Sequence, residues 1–378
     1  MTPSPLGNLH PFVSSISAHN PPALSFLNQQ FTDVNAWREQ ARAKAIELLR
    51  YSPPAVPLDP QVIEVVDKGD YIREKITFAS ASGIRVPAYV LVPKNLDKPA
   101  PAVVALHCHG GYYLHGKEKL VDIEREPLHL TLYKRNGYGG RAFANELVRH
   151  GYVVIAIDAF YWGERRLDFQ QMPDALVKEM QRRARNKTGV PGVNEVLSMF
   201  EELMARHVFA VGATWLGIIN HDDRATVDYL LTRPEVDKER IGCAGLSMGG
   251  MRTDWLFGID PRVKAAVSAG WGTDWSLLMP QHVGSHSWAQ VVPGLTGQLE
   301  LSDVMSMGMP GALMVMECAQ DALFPLDGMH TTCERIESIY AKAGLSDKFA
   351  YRFYDVPHQF DVPMQDDAIV WFDRWLKK

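Results

Sequence analysis

"ERIGCAGLSMGGMRTDW", residues 239–255, is the stretch on which the reading of this chain turns. It opens on charges, runs apolar from Ile241 to Leu246, and then sets one serine between glycines: Gly245-Leu246-Ser247-Met248-Gly249. A short apolar run that ends in Gly-x-Ser-x-Gly and passes into a helical pattern reads as strand, sharp turn and helix, with Ser247 at the tip. Such a turn projects the hydroxyl above the end of the sheet, and the N-terminus of the following helix favours negative charge beside it. The plainer alternative is a turn serine that caps the next helix. The rest of the chain has to supply the partners that a nucleophile needs.

A serine hydroxyl is a weak nucleophile without a general base. Where an elbow of this kind is catalytic, the acid and the histidine follow the serine in chain order. "MECAQDALFP" puts Asp321 just beyond an apolar strand, and "YDVPHQFD" puts His358 just beyond the last strand-like run. Glu317, Asp327, Asp355 and Asp361 compete for the role of acid. Glu317 lies inside the apolar strand and Asp327 lies past Pro325, so Asp321 is preferred. Acyl transfer also needs N–H donors for the oxyanion. Met248, directly after the serine, offers one. "ALHCHGGYY" offers His109-Gly110-Gly111 after an earlier strand, with the Gly111 amide favoured and Gly110 second.

The surrounding pattern supplies the sheet. "AVVALH" (102–107), "YVVIAI" (152–157), "IGCAGL" (241–246), "VKAAVSAG" (263–270) and "ALMVME" (312–317) are continuous apolar runs, with "KFAYRFYDV" (348–356) a weaker sixth. Continuous rather than alternating apolarity fits strands covered on both faces, as in a parallel sheet. Helical patterns at 141–150, 222–234, 249–258 and 331–344 fall between them, which predicts an α/β architecture. Residues 61–93 alternate like two or three antiparallel strands, and 33–49 read as a helix capped by Asp33. Residues 1–30 read as irregular. The expected organisation is an N-terminal helical extension over 1–60. A catalytic domain over 61–378 follows, with insertions near 164–215 and 271–305.

These residues resemble the α/β-hydrolase superfamily, in its dienelactone hydrolase, acetyl xylan esterase and prolyl oligopeptidase-like branch. "DYLLTRPEVDKERIGCAGLSMGG", "DAFYWGERR" (158–166) and "DALFP" (321–325) are typical of that branch, over roughly residues 70–378. The resemblance implies an α/β-hydrolase fold: a mostly parallel central sheet flanked by helices, with N-terminal antiparallel strands and helical insertions. It implies serine-dependent hydrolysis of an ester without a cofactor. Dienelactone hydrolases proper use cysteine where this chain has Ser247, and oligopeptidases add a propeller whose blade repeats are absent here. Peptidase, thioesterase and C–C bond hydrolase remain the alternatives within the fold. A non-catalytic ligand-binding member is a more distant one.

Composition narrows the partners. The 22% charged content is that of an ordinary globular chain, and the small net charge of −5 argues against a nucleic-acid or anionic-membrane partner. No apolar run approaches the ~20 residues of a membrane span, and no Lys or Arg precedes Arg38, so a cytoplasmic location is expected. Cys108, Cys243, Cys318 and Cys333 form no CxxC pair. His107 and His109 complete no metal motif, so no metal is expected. The expected partner is a small-molecule ester, with a homo-oligomer left open. Trp271, Trp275, His286 and Trp288 follow the run 263–270 and are candidates for substrate contact. Asp158, Glu164 and Arg165 are read as an ion pair that holds its loop.

Overall fold

A computed structural model describes residues 4–18, 22–184 and 187–377. Each of the six apolar runs becomes a strand, and the alternating stretch 61–93 becomes three more. In chain order they are β1 (Gln61–Asp67), β2 (Tyr71–Ala81), β3 (Ile84–Pro93), β4 (Ala100–Leu106), β5 (Val153–Ile157), β6 (Val236–Leu246), β7 (Val263–Ala269), β8 (Ala312–Cys318) and β9 (Phe349–Tyr354). They form one sheet in the order β1-β2-β3-β5-β4-β6-β7-β8-β9. β1, β2 and β3 pair antiparallel, and β3 joins β5 antiparallel. From β5 to β9 all pairing is parallel.

The continuous apolarity has a direct cause. Ala102, Val104 and Leu106 of β4 point to one hydrophobic cluster, and Val103 and Ala105 point to the other. Every residue of β4, β5 and β8 is buried, because helices cover both faces. The helices Phe143–Arg149 and Val362–Leu376 bring Phe143, Leu147, Met364 and Phe372 to one face. Val34–Leu49, Gly189–Ala210, Trp215–Leu230, Met248–Ile259 and Leu326–Lys342 cover the other. The edge strand β1 lacks such cover and exposes Val62, Ile63 and Val65.

Four helices depart from the expectation, each for a local reason. Residues 1–30, read as irregular, contain the helix His10–Ala18. That stretch has no charged residue to mark a polar face. The helix Leu128–Tyr138 buries Leu130, Lys134 and Tyr138. One of its three inward positions is a lysine, whose Nζ donates to Val121 O at 2.8 Å, so the apolar stripe is interrupted. The closing helix Val362–Leu376 carries Pro363 in its first turn, and Asp361 caps it by accepting from Met364 N at 3.2 Å. The helix read over 222–234 starts at Trp215, where the Thr214 hydroxyl accepts from Gly217 N at 3.0 Å.

The fold meets the site where β4 passes under the turn after β6. A Cβ on Gly249 would lie 2.1 Å from Leu106 O, and one on Gly245 would lie 2.4 Å from the same oxygen. No side chain fits at either position, so the backbone of β4 touches the turn directly. Gly249→Ala should therefore lower the unfolding free energy by about 1–3 kcal/mol or more. Gly137→Ala, in a helix and with open space around it, should instead gain up to ~1 kcal/mol. Urea denaturation of the two variants checks this, and equal midpoints would remove the close-approach argument.

Candidate active site

Ser247 sits between β6 and the helix Met248–Ile259 with φ 59° and ψ −121°. A non-glycine residue at positive φ is strained and persists only where its surroundings hold it. Here Ser247 N donates to Ala269 O of β7 at 2.8 Å, and Met251 N donates to Ser247 O at 2.9 Å. The hydroxyl makes no hydrogen bond among the described residues and faces a cavity.

Asp321 follows β8 and His358 follows β9. The Asp321 side chain is fully buried, and its two oxygens are both used. Oδ1 accepts from Leu323 N at 2.8 Å, and Oδ2 lies 2.5 Å from His358 Nδ1. The ring of His358 lies over Gly270, where a Cβ would come 3.3 Å from Cε1. Ser247 and His358 line the same cavity without a direct hydrogen bond, a contact that in unliganded sites often tightens only when substrate binds. The competing acids stand elsewhere. Glu317 is fully buried without a hydrogen-bond partner among the described residues, and burial pushes its carboxyl well above the usual range. Asp327 is exposed in the first turn of its helix. Asp355 accepts from Gln320 Nε2 at 2.8 Å, and Asp361 is the cap already described.

The loop after β4 brings His109, Gly110 and Gly111 to the same cavity. The Gly111 amide is not free, because it donates to His109 Nδ1 at 2.9 Å. Nδ1 therefore carries no proton, and Nε2 donates to Glu201 Oε1 at 2.7 Å. The Gly110 N–H and the Met248 N–H face no acceptor among the described residues. His107 shares none of the hydrogen-bond partners of His109. Its Nε2 accepts from Ala159 N at 3.1 Å, its Nδ1 donates to Cys108 O at 2.9 Å, and burial drops its pKa well below the ordinary value.

The cavity measures about 330 Å³. Of the four substrate candidates, Trp271 and His286 line it and the other two do not. Trp275 begins a short helix and packs against the core. Trp288 is exposed and meets Phe209 edge-on at 6.4 Å. His286 Nε2 donates to Leu323 O at 3.1 Å, and burial pulls its pKa down to about 4, so its ring is neutral. Ser285, Ser287, Gln290 and Leu323 also line the wall, and no local motif marks them in the sequence. Glu201 is a further residue the sequence did not disclose. From the helix Gly189–Ala210 it accepts from Tyr113 Oη at 2.8 Å and Ser287 Oγ at 3.2 Å besides His109.

The loop acids are paired differently from the expectation. Lys117, buried, meets Asp158 at 2.7 Å, Glu164 at 2.6 Å and Glu118 at 2.8 Å. The three carboxylates converge closely enough to hold an ion, but an ammonium already lies among them. Arg165 pairs instead with Asp222 at 2.6 Å, because the helix Trp215–Leu230 runs beside its loop.

The Abhydrolase family model matches residues 12–175, and the dienelactone hydrolase family model matches residues 138–280, which include the serine turn. The chain has the α/β-hydrolase fold. Among curated proteins, "Putative hydrolase YtaP" of Bacillus subtilis is 24% identical over 343 residues, which is 90% of this α/β-hydrolase and 100% of the relative. Among solved structures, a "putative acetyl xylan esterase" from Bacteroides fragilis superposes with a TM-score of 0.68 at 18% identity, covering 91% of this chain and 81% of its own. A glucuronoyl esterase from Solibacter usitatus superposes with a TM-score of 0.61 at 14% identity, covering 93% and 97%. No helix among the described residues of the α/β-hydrolase is long and apolar enough to cross a membrane.

The 2.5 Å contact of His358 with Asp321 has a spectroscopic consequence. The Nδ1 proton should appear as a far-downfield resonance in proton NMR, because short charge-assisted hydrogen bonds deshield the proton. Asp321→Asn should shift it upfield or abolish it, and Asp327→Asn should leave it in place. A signal indifferent to Asp321→Asn would place the proton elsewhere.

Proposed function

We propose that this α/β-hydrolase is a serine-dependent carboxylester hydrolase that works through an acyl-enzyme. One observation carries the reading: a buried carboxylate grips an imidazole at 2.5 Å, on the rim of the cavity that a positive-φ serine lines. In this mechanism Ser247 Oγ attacks the ester carbonyl, and His358 Nε2 takes the hydroxyl proton. Asp321 accepts from Nδ1–H, which keeps the ring in the right tautomer and stabilises the imidazolium. The oxyanion is held by the Met248 N–H together with an amide of the His109-Gly110-Gly111 loop. Collapse of the tetrahedral intermediate expels the alcohol, which leaves with the proton from His358. Water, deprotonated by His358, then cleaves the acyl-serine.

The cavity wall favours a neutral substrate with hydroxyl groups. Among the described residues its lining contains no Lys, Arg, Asp or Glu, and burial pulls the His286 pKa down to about 4, which leaves the ring neutral near pH 7. Ser285 and Gln290 add polar side chains to the wall, a chemistry suited to substrate hydroxyls. Trp271 adds an aromatic face suited to a sugar ring or an aryl group. An ester of a small acyl group, with an acetylated carbohydrate as the leading class, meets these conditions. The resemblance of the fold to a putative acetyl xylan esterase supports the same class.

A fluorophosphonate should add once to the intact protein, on Ser247, and Ser247→Ala should abolish the adduct. Persistent labelling of that variant would sink the assignment. Asp321→Asn should cost about 10⁴ in kcat on 4-nitrophenyl acetate, since it misplaces the tautomer. That equals roughly 5.5 kcal/mol of transition-state stabilisation. Asp327→Asn should cost little, and an exchange of outcomes between the two would move the acid.

A further inference from the structure

Lys119 has an unusual environment for a cation. It is completely buried, and no carboxylate lies within ion-pair distance of its Nζ among the described residues. Its acceptors are two loop carbonyls, Cys108 O at 2.8 Å and His109 O at 2.9 Å. The faces of Tyr133 and Tyr112 lie 5.3 and 5.9 Å away. Burying an ammonium without a counter-ion costs several kcal/mol, and burial accordingly pulls the Lys119 pKa down to about 8. The same three-residue turn holds Lys117, which has three carboxylate partners. Lys119 has none.

The two carbonyls identify what the charge acts on. The C=O of His109 and the N–H of Gly110 belong to one peptide group, and in a trans peptide they point in opposite directions. With the oxygen drawn down onto Lys119, the Gly110 N–H is turned the other way. Gly110 lines the main cavity, and like His358 it also lines a second cleft of about 270 Å³. Its N–H faces no acceptor among the described residues, whereas the neighbouring Gly111 N–H is taken by His109 Nδ1. A charge-assisted hydrogen bond on a carbonyl also polarises its peptide and makes the N–H a better donor.

We propose that Lys119 is a positioning residue that aims and polarises the Gly110 N–H, making Gly110 rather than Gly111 the second oxyanion donor beside Met248. The proposal rests on the serine-esterase reading above. Lys119 touches neither substrate nor the reacting atoms. It acts through the His109–Gly110 peptide, and His109, held by Glu201, keeps the competing Gly111 amide occupied.

Two measurements test it. Lys119→Met keeps an unbranched side chain of similar length and removes the donor. It should lower kcat on 4-nitrophenyl acetate by roughly 10²-fold, the low end of the cost of losing an oxyanion donor, with KM unchanged. Lys119→Gln, which keeps a neutral donor, should fall between Met and wild type. A merely structural lysine predicts instead that melting temperature and KM change while kcat of the folded fraction holds, and that result would overturn the proposal. The second measurement needs no variant. In a crystal structure of the wild-type fluorophosphonate adduct, the phosphoryl oxygen should accept from Met248 N and Gly110 N. A phosphoryl oxygen bound by Gly111 N, with His109 swung aside, would overturn the assignment even if Lys119→Met fails to fold. A wild-type protein that forms no adduct on Ser247 overturns the esterase reading itself, and the role of Lys119 with it.

Discussion

The contact between Leu106 O of β4 and the two glycines around Ser247 is the constraint on which the site depends. The oxygen approaches so closely that a Cβ at either Gly245 or Gly249 would overlap it. That approach lets the chain reverse from strand to helix within one residue and holds Ser247 at positive φ. The strain is local, and the surrounding sheet over-determines it. Ser247 N is tied to β7, and β6 is paired on both sides, to β4 and β7. The loop after β4 then starts directly beneath the serine, which is why His109, Gly110 and Gly111 share its cavity.

Buried charges hold the loops around that turn. Arg252 of the helix after Ser247 meets Asp223 at 2.6 Å, and Arg165 meets Asp222 one residue earlier on the same partner helix. Glu201 joins three segments that are distant in sequence: the loop after β4 through His109 and Tyr113, the insertion near 164–215 on which it sits, and the segment 271–305 through Ser287. Such groups are costly to bury and costlier to leave unpaired. Removing one partner therefore disturbs a loop and not just a bond. The insertions thus do more than decorate the fold, since one of them sets the tautomer of the histidine beside the Gly111 amide.

The sequence showed the sheet because burial on both faces writes itself into continuous apolar runs, and all of those runs became strands. Helices were less legible where polar residues face inward. Leu128–Tyr138 turns Lys134 into the interior, and His10–Ala18 has no charged face to give it a period. Ser247, Asp321 and His358 could be singled out because each stands at the end of an apolar strand, a position readable along the chain. Trp275 and Trp288 were read as companions of Trp271 from proximity in sequence alone, and the chain direction sends them elsewhere.

By itself, then, the sequence determined the α/β-hydrolase fold, the strands along the chain, and the loops that carry Ser247, Asp321 and His358. These follow from local apolarity, glycine and chain order. Only the tertiary structure decided which amide of the His109-Gly110-Gly111 loop is engaged and which is open, because that depends on Glu201, 92 residues away. It also decided that Lys117 sits among carboxylates while Lys119 sits on carbonyls. Two lysines in one short turn look alike along the chain, and only the groups packed around each ammonium separate a structural ion pair from a charge aimed at a peptide.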